Sequence, residues 1–219
     1  MKIYRYNLEF EKFHEGILKI ALELRNKEFV RKNMVYSRYI TWDEHLKWYS
    51  ELNPETNFYF LIRSNHIPVG VFNFKDLDIE NKRAELGIFM GREDILRTPV
   101  PFLCCLTLID LAVKLFQISP FTKVKTGASD IESLNKSLGY ELAETHEHYI
   151  VNNLNIEKHY QLSKKVRKAA DVLFPNNNQS ESFKIQINEE DADDNSVKFL
   201  IHLYESLRPE NKNEFILTD

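Results

Sequence analysis

Glycine is scarce in this chain, six in 219 residues, and cysteine scarcer still, with two. There is no basic tract, and the formal charge of -4 excludes general nucleic-acid binding. The longest apolar stretch, 99–116, is interrupted by Thr107, Asp110 and Lys114. It falls short of the roughly 18 uninterrupted residues of a membrane span and reads as a buried helix. The opening MKIYRYNLEFEKF alternates apolar and polar residues and has no signal-peptide core, so the expected location is cytoplasmic. Cys104 and Cys105 are adjacent on the apolar helix, where neighbouring side chains diverge by about 100°. A vicinal disulfide would distort the backbone, so buried thiols are expected. FLCCL also lacks the electropositive setting of a nucleophilic cysteine.

What is present suits a globular domain: 43% hydrophobic and 28% charged residues, in a chain long enough for one main domain and an appendage. Ile3, Tyr4, Tyr6, Leu8 and Phe10 suggest an opening strand, and Ile17, Leu18, Ala21, Leu22 and Leu24 recur at helical spacing. Thr41 and Glu44 form a capping box at the start of TWDEHLKWYSEL, which ends before Asn53-Pro54. The runs 58–63 and 69–74, separated by SNHIP, predict a hairpin, and AELGIFM predicts a third antiparallel strand. ELAETHEHYIVNNL and IEKHYQLSK read as two final strands, followed by a basic amphipathic helix, KKVRKAADVLF. A polar linker, PNNNQSES, a strand, FKIQI, an acidic stretch, EEDADD, and a helix, SVKFLIHLYESL, complete the chain. The expected organisation is a main domain over 1–163 and a C-terminal extension over 164–219, in the α/β (α+β) class with a mixed, mostly antiparallel sheet flanked by helices.

Segment 84–140 runs strand (AELGIFM), loop (GREDILRTPVP), apolar helix (FLCCLTLIDLAVKLFQ), strand (FTKVKT), helix (SDIESLNKSL) and Gly139-Tyr140. That order, closing on SLNKSLGYEL, resembles the core of the GNAT acyltransferase superfamily. The first half resembles more particularly the N-acetyltransferases that act on nucleotide-linked 4-amino sugars, through Leu24-Arg25-Asn26, Val30-Arg31-Lys32-Asn33-Met34, Tyr36, Ile40 and Glu44-His45-Leu46 with Trp48. The resemblance covers about 17–163. It implies acetyl-CoA or another acyl-CoA as co-substrate, no metal, a nucleotide-linked amino sugar as acceptor and a place in surface glycan synthesis. An acyl carrier protein as donor, and a homodimer, are left open.

The resemblance assigns Glu85 to a water-mediated general base, where the residues alone also allow an exposed strand carboxylate paired with Arg83, and Asn73 to holding that water. Gly87, Ile88 and Phe89 would lie along the pantetheine arm. Arg25 and Arg31 would receive a diphosphate, to which a guanidinium fork is matched, or else pair with Glu23 and Glu28. Asn33, Met34 and Tyr36 would line the sugar pocket or pack the core, and His45 would face the site or cover an aromatic cluster.

Two departures stand out. The family's Tyr, which protonates the leaving thiolate, is Asn135 here, so another group such as Tyr140 would have to act. The family's glycine-rich pyrophosphate loop is GREDILRTPVPF, with one Gly and with Pro99 and Pro101 lacking amide donors, so Arg92, Arg97 and Thr98 would compensate. Two alternatives are kept: a peptide or protein N-terminal acetyltransferase of the same fold, and a non-catalytic binding or scaffolding protein, which these departures favour.

Overall fold

The computed structural model describes residues 1–174, 183–188, 191, 193–207 and 215–217. Strands β1 (Lys2–Arg5) and β2 (Leu8–Lys12) form a tight hairpin, where a single opening strand was expected. The reversal is made by Tyr6 and Asn7, both left-handed at φ 53° and 57°. With no glycine there, the turn is hidden within an alternating pattern.

Helices α1 (Glu15–Arg25), α2 (Glu28–Arg31) and α3 (Trp42–Ser50) follow, and α3 starts at the expected capping box between Thr41 and Glu44. Strands β3 (Phe58–Ser64), β4 (Ile67–Asp78) and β5 (Arg83–Met90) form the expected antiparallel meander. The apolar helix α4 (Val100–Asp110) continues into a π-helical turn (Leu111–Leu115) and returns the chain to β6 (Ser119–Lys125), parallel to β5. Helix α5 (Ser129–Ser137) leads into the hairpin β7 (Tyr140–Thr145) and β8 (Tyr149–Leu154).

Beyond β8 the structure corrects the sequence reading. IEKHYQLSK is not a strand: Ile156–Leu173 forms one helix, α6, of which KKVRKAADVLF is the second half. The Asn155 side chain accepts from the Lys158 amide and starts it, and the buried His159, Ser163 and Ala170 lie on one helical stripe. Strand β9 (Lys184–Ile187), helix α7 (Asn195–Leu207) and β10 (Phe215–Leu217) follow. The linker 175–182 and much of the acidic stretch lie outside the described residues.

Among the described residues the sheet has ten strands in the order β10-β9-β1-β2-β3-β4-β5-β6-β8-β7. Strand β9 pairs with β1, and Val197, Leu200, Leu203 and Tyr204 of α7 join the main core, so the C-terminal segment shares the sheet and core of the first 163 residues. Strand alternation divides the packing. Phe10, Phe58, Phe60, Phe72, Phe74 and Leu86 point to α4 and its neighbours. Leu61, Val71 and Phe89 point to Phe13, Ile17, Leu18, Ala21 and Leu24 on and before α1.

A buried ion cluster pins the first of these layers. Asp110 is fully buried and accepts from Arg167 of α6 at 2.8 Å and from Arg5 of β1 at 2.8 Å. Burial alone would raise its pKa, but the two guanidiniums hold it below the usual carboxylate range. His159 donates from Nδ1 to the Leu138 carbonyl at 2.6 Å and accepts at Nε2 from Arg167 at 2.9 Å, an arrangement that requires a neutral imidazole.

Candidate active site

Strands β5 and β6 pair at only three positions, Arg83 with Ser119, Ala84 with Pro120 and Glu85 with Phe121. Past Glu85 the ladder stops, although both strands continue. The edge of β5 over 87–90 is therefore unpaired on the β6 side while still laddered to β4 on the other. An extended polyamide chain entering this opening meets free backbone donors and acceptors.

The segment around α2 spans the wide end of the opening. At one side Gly91, just beyond β5, touches α1 so closely that a Cβ there would sit 2.5 Å from Leu24 Cβ. At the other side Lys125, the last residue of β6, donates from Nζ to the Lys32 carbonyl at 2.8 Å. Arg25 and Arg31 lie within this span. Arg25 donates to the Tyr36 carbonyl at 2.6 Å, and Arg31 to the carbonyls of Asn26 at 3.1 Å and Ser37 at 3.4 Å. Neither pairs with a carboxylate among the described residues, so the alternative pairing with Glu23 and Glu28 is not formed. Burial, and then the like charge of Arg31, lower the pKa of Arg25, whose Nη1 is buried without a partner among the described residues. Two neighbouring guanidiniums without an anion form a cationic recess.

Of the sugar-pocket candidates, Tyr36 and Asn33 are exposed, Met34 is half-buried, and Asn33 donates to the Phe29 carbonyl at 3.0 Å. Val35, Tyr39 and Trp42 add exposed apolar surface beside them.

On the α1 face, cross-strand register brings Tyr59, Asn73 and Gly87 into one row across β3, β4 and β5. Asn73 Oδ1 is buried and accepts nothing from the described residues, and it would lie 2.7 Å from a Cβ on Gly87. Gly87 thus supplies a slot in which the Asn73 carbonyl oxygen is available. Burial, with the nearby Glu85 charge second, raises the Tyr59 pKa and keeps its phenol protonated.

Glu85 is one row behind this slot. It is 5% exposed and paired not with Arg83 but with Lys75 of β4 and with Lys123 of β6 at 2.8 Å. The hydrogen bond that Lys123 donates to Glu85 raises the Lys123 pKa. Arg83 instead donates to Asn153 and lies over the Phe121 ring. The structure thus places the expected base in a bridge joining the strands where they part.

His45 is buried between α1 and α3, stacked on Trp48 at 5.1 Å. Burial lowers its pKa despite its hydrogen bond to the Leu18 backbone. This matches the aromatic-cluster alternative. Tyr140 is buried in the core, where burial and then Cys105 raise its pKa, so a role as proton donor has no support in its surroundings. Cys104 and Cys105 are free and buried as expected, the latter pushed up to about 12 by burial. Asn135 donates to Thr122 Oγ1 at 3.1 Å.

The loop before α4 is built from side chains. Arg92 is clamped on Asp94 at 2.7 and 3.0 Å. Thr98 donates to the Ile95 carbonyl at 2.7 Å and accepts from the Val100 amide at 3.3 Å. Arg97 is exposed and has no partner among the described residues. With Pro99 and Pro101 lacking amide hydrogens and the Val100 amide taken, the helix start offers few backbone donors.

Sequence reasoning missed Tyr59, Lys75, Thr122, Lys123 and Lys125. Their signal lies in the cross-strand register, which no local pattern displays. Among the described residues no group of three or more metal-ligating side chains occurs, and no helix is long and apolar enough to cross a membrane.

No protein-family model matches the chain, and no curated protein matches it in sequence. Solved structures do match in shape. A spermidine N-acetyltransferase from Vibrio cholerae, in complex with CoA and spermine, is 13% identical with a TM-score of 0.58 over 68% of this chain and 94% of that one. RimL, a ribosomal L7/L12 alpha-N-protein acetyltransferase, is 15% identical with a TM-score of 0.60 over 70% and 94%. The Campylobacter jejuni N-acetyltransferase PseH, in complex with acetyl coenzyme A, is 14% identical with a TM-score of 0.51 over 67% and 97%. At such identities the likeness is one of architecture: the chain has the fold that these N-acetyltransferases share.

Proposed function

We propose that this protein is an N-acyltransferase that moves an acetyl or other short acyl group from a coenzyme A thioester to the amino group of a nucleotide-linked amino sugar. The observation that carries this reading is a juxtaposition: a sheet that opens between β5 and β6, with the uncompensated Arg25–Arg31 recess across its wide end. The opening accepts the extended, amide-bearing arm of the donor. The recess accepts an anion on the acceptor, for which a diphosphate is suited by bidentate guanidinium contacts.

Polyamines and peptide N-termini, the substrates suggested by two of the similar structures' names, bring a positive charge to the acceptor side. Arg25, Arg31, Lys123 and Lys125 oppose that charge. An amino sugar on a nucleoside diphosphate brings two phosphates and one amine, which is the charge pattern the surface complements.

In the reaction the neutral amine attacks the thioester carbonyl, the amide C–N bond forms, and the C–S bond breaks with its electron pair on sulfur. Asn73 Oδ1, unpartnered beside Gly87, accepts from the amine N–H and aims its lone pair at the carbonyl carbon. The proton leaves through solvent, and Glu85 holds Lys75 and Lys123 at the parting of the strands. A general-base role for Glu85 would require release from both ammonium groups. The donor's phosphates meet Arg97 and, after exchange from Asp94, Arg92, in a loop where charged side chains replace backbone amides.

The test is thermal stabilisation of the purified protein by coenzyme A, acetyl-CoA and nucleotide amino sugars. A specific ligand at a hundredfold its dissociation constant stabilises by about 2.7 kcal/mol. Shifts with both ligand classes support the reading. No shift with any coenzyme A species contradicts a coenzyme A donor.

A further inference from the structure

Thr122 is the first residue of β6 beyond the last pair of the β5–β6 ladder, Glu85 with Phe121. Alternation turns it away from the α1 face, toward α5, where the Asn135 side chain donates to its hydroxyl at 3.1 Å. Asn135 is buried, and the bond fills one acceptor position of the hydroxyl. The hydroxyl hydrogen has no acceptor among the described residues. A directed O–H donor therefore stands at the apex of the opening, held by the residue that occupies the family's tyrosine position.

We infer that Thr122 is the hydrogen-bond donor to the sulfur of the thioester and of the leaving thiolate, with Asn135 as its positioning residue. This inference rests on the acyl-CoA reading above. An amide side chain cannot protonate a thiolate, and an asparagine is too short to replace a tyrosine at the same distance. It can fix a hydroxyl on the neighbouring strand. An alcohol is a weaker acid than a thiol, so Thr122 keeps its proton: it stabilises the sulfur anion as the C–S bond breaks, and solvent protonates the sulfur on release. The proton lost by the amine also goes to solvent, so no further co-reactant enters. Leaving-group stabilisation thus resides in a strand hydroxyl ordered by a helix amide.

The experiment titrates the thiol of coenzyme A bound to the intact protein, following thiolate absorbance against pH, in the wild type and in Thr122→Val, Thr122→Ser and Asn135→Ala. A hydrogen bond to a charged group is worth about a tenfold change in ionisation. The bound thiol in the wild type is then expected to titrate about one pH unit below that in Thr122→Val. Thr122→Ser should retain the wild-type value, and Asn135→Ala should fall between. A residue that only packs would change coenzyme A affinity or stability and leave the titration in place. If Thr122→Val binds coenzyme A and its thiol titrates as in the wild type, the inference fails and the acyl-CoA reading stands. If the wild type binds no coenzyme A, both fail. Thr122→Ser guards against misfolding, because its loss of the low titration would also overturn the assignment.

Discussion

Leu24 occupies the space that a side chain on Gly91 would need, its Cβ 2.5 Å and its Cα 3.0 Å from where that residue's Cβ would stand. This contact sets the distance between the end of α1, which carries Arg25, and the end of β5, where the sheet is open. A glycine is needed here for close approach alone. Gly91→Ala should destabilise the protein by about 1–3 kcal/mol in urea unfolding, as overpacking does. Adding Leu24→Ala should recover part of the loss, and a Gly91→Ala protein of unchanged stability would contradict the packing described.

Arg31 donates only to backbone carbonyls and faces no carboxylate among the described residues. Arg31→Ala should raise KM for a nucleotide-linked acceptor about tenfold or more, since a charge-assisted bond to phosphate is worth about 1.5–3 kcal/mol. KM for acetyl-CoA should be unchanged. Steady-state kinetics with both substrates varied checks this, and equal effects on the two KM values would count against a role in acceptor binding.

Glu85 is buried between two lysines from neighbouring strands. Glu85→Gln removes the charge that both share, with an expected loss of about 1–3 kcal/mol of stability. Because the carboxylate is committed to these partners, kcat should fall modestly and its pH profile keep its shape. Loss of the acid limb of that profile, where a base gives up its proton, would instead restore Glu85 as the base.

Two buried histidines make acid stability specific. Burial lowers the folded pKa of both His159 and His45 below the ordinary 6.5, and His159 also faces Arg167. The unfolded chain therefore binds protons that the native state refuses. Stability is complete above about pH 6.5 and is lost as pH falls toward the folded values, by up to about 1.4 kcal/mol per unit for each proton. The depressed carboxylates, among them Asp110 and also Asp194, the latter lowered to about 2, act below their ordinary 3.8 and leave the window from 5 to 6.5 to the histidines. Urea unfolding across that window should show the decline, reduced in His159→Gln. A flat profile would contradict a neutral His159.

Local chemistry was legible where one segment carried it. The capping box at Thr41 and Glu44, the β3–β5 meander and the buried cysteine pair all follow from patterns a few residues long. The β1–β2 turn was not, because Tyr6 and Asn7 adopt left-handed backbone without a glycine to announce it. The start of helix α6 is not legible either, because IEKHYQL carries polar and apolar residues at both periods, and its helical stripe shows only in contacts made elsewhere in the chain, His159 with the Leu138 carbonyl and Tyr160 with Asp110. The site divides the same way. Arg25 ends α1 and Arg31 ends the short α2 next to it, so both could be named from one segment, whereas the Tyr59–Asn73–Gly87 row and the Asn135–Thr122 bond exist only once the strands are in register.

Coenzyme A release under an acceptor panel tests the central claim most directly. Purified protein with acetyl-CoA would be offered a nucleoside diphosphate-linked amino sugar, the same amino sugar without its nucleotide, spermidine and a peptide with a free N-terminus, and free thiol would be followed. The account predicts turnover with the nucleotide-linked sugar and a kcat/KM at least tenfold lower for the others, one charge-assisted phosphate contact being worth about that factor. Turnover with spermidine or the peptide, and none with the nucleotide-linked sugar, would contradict it.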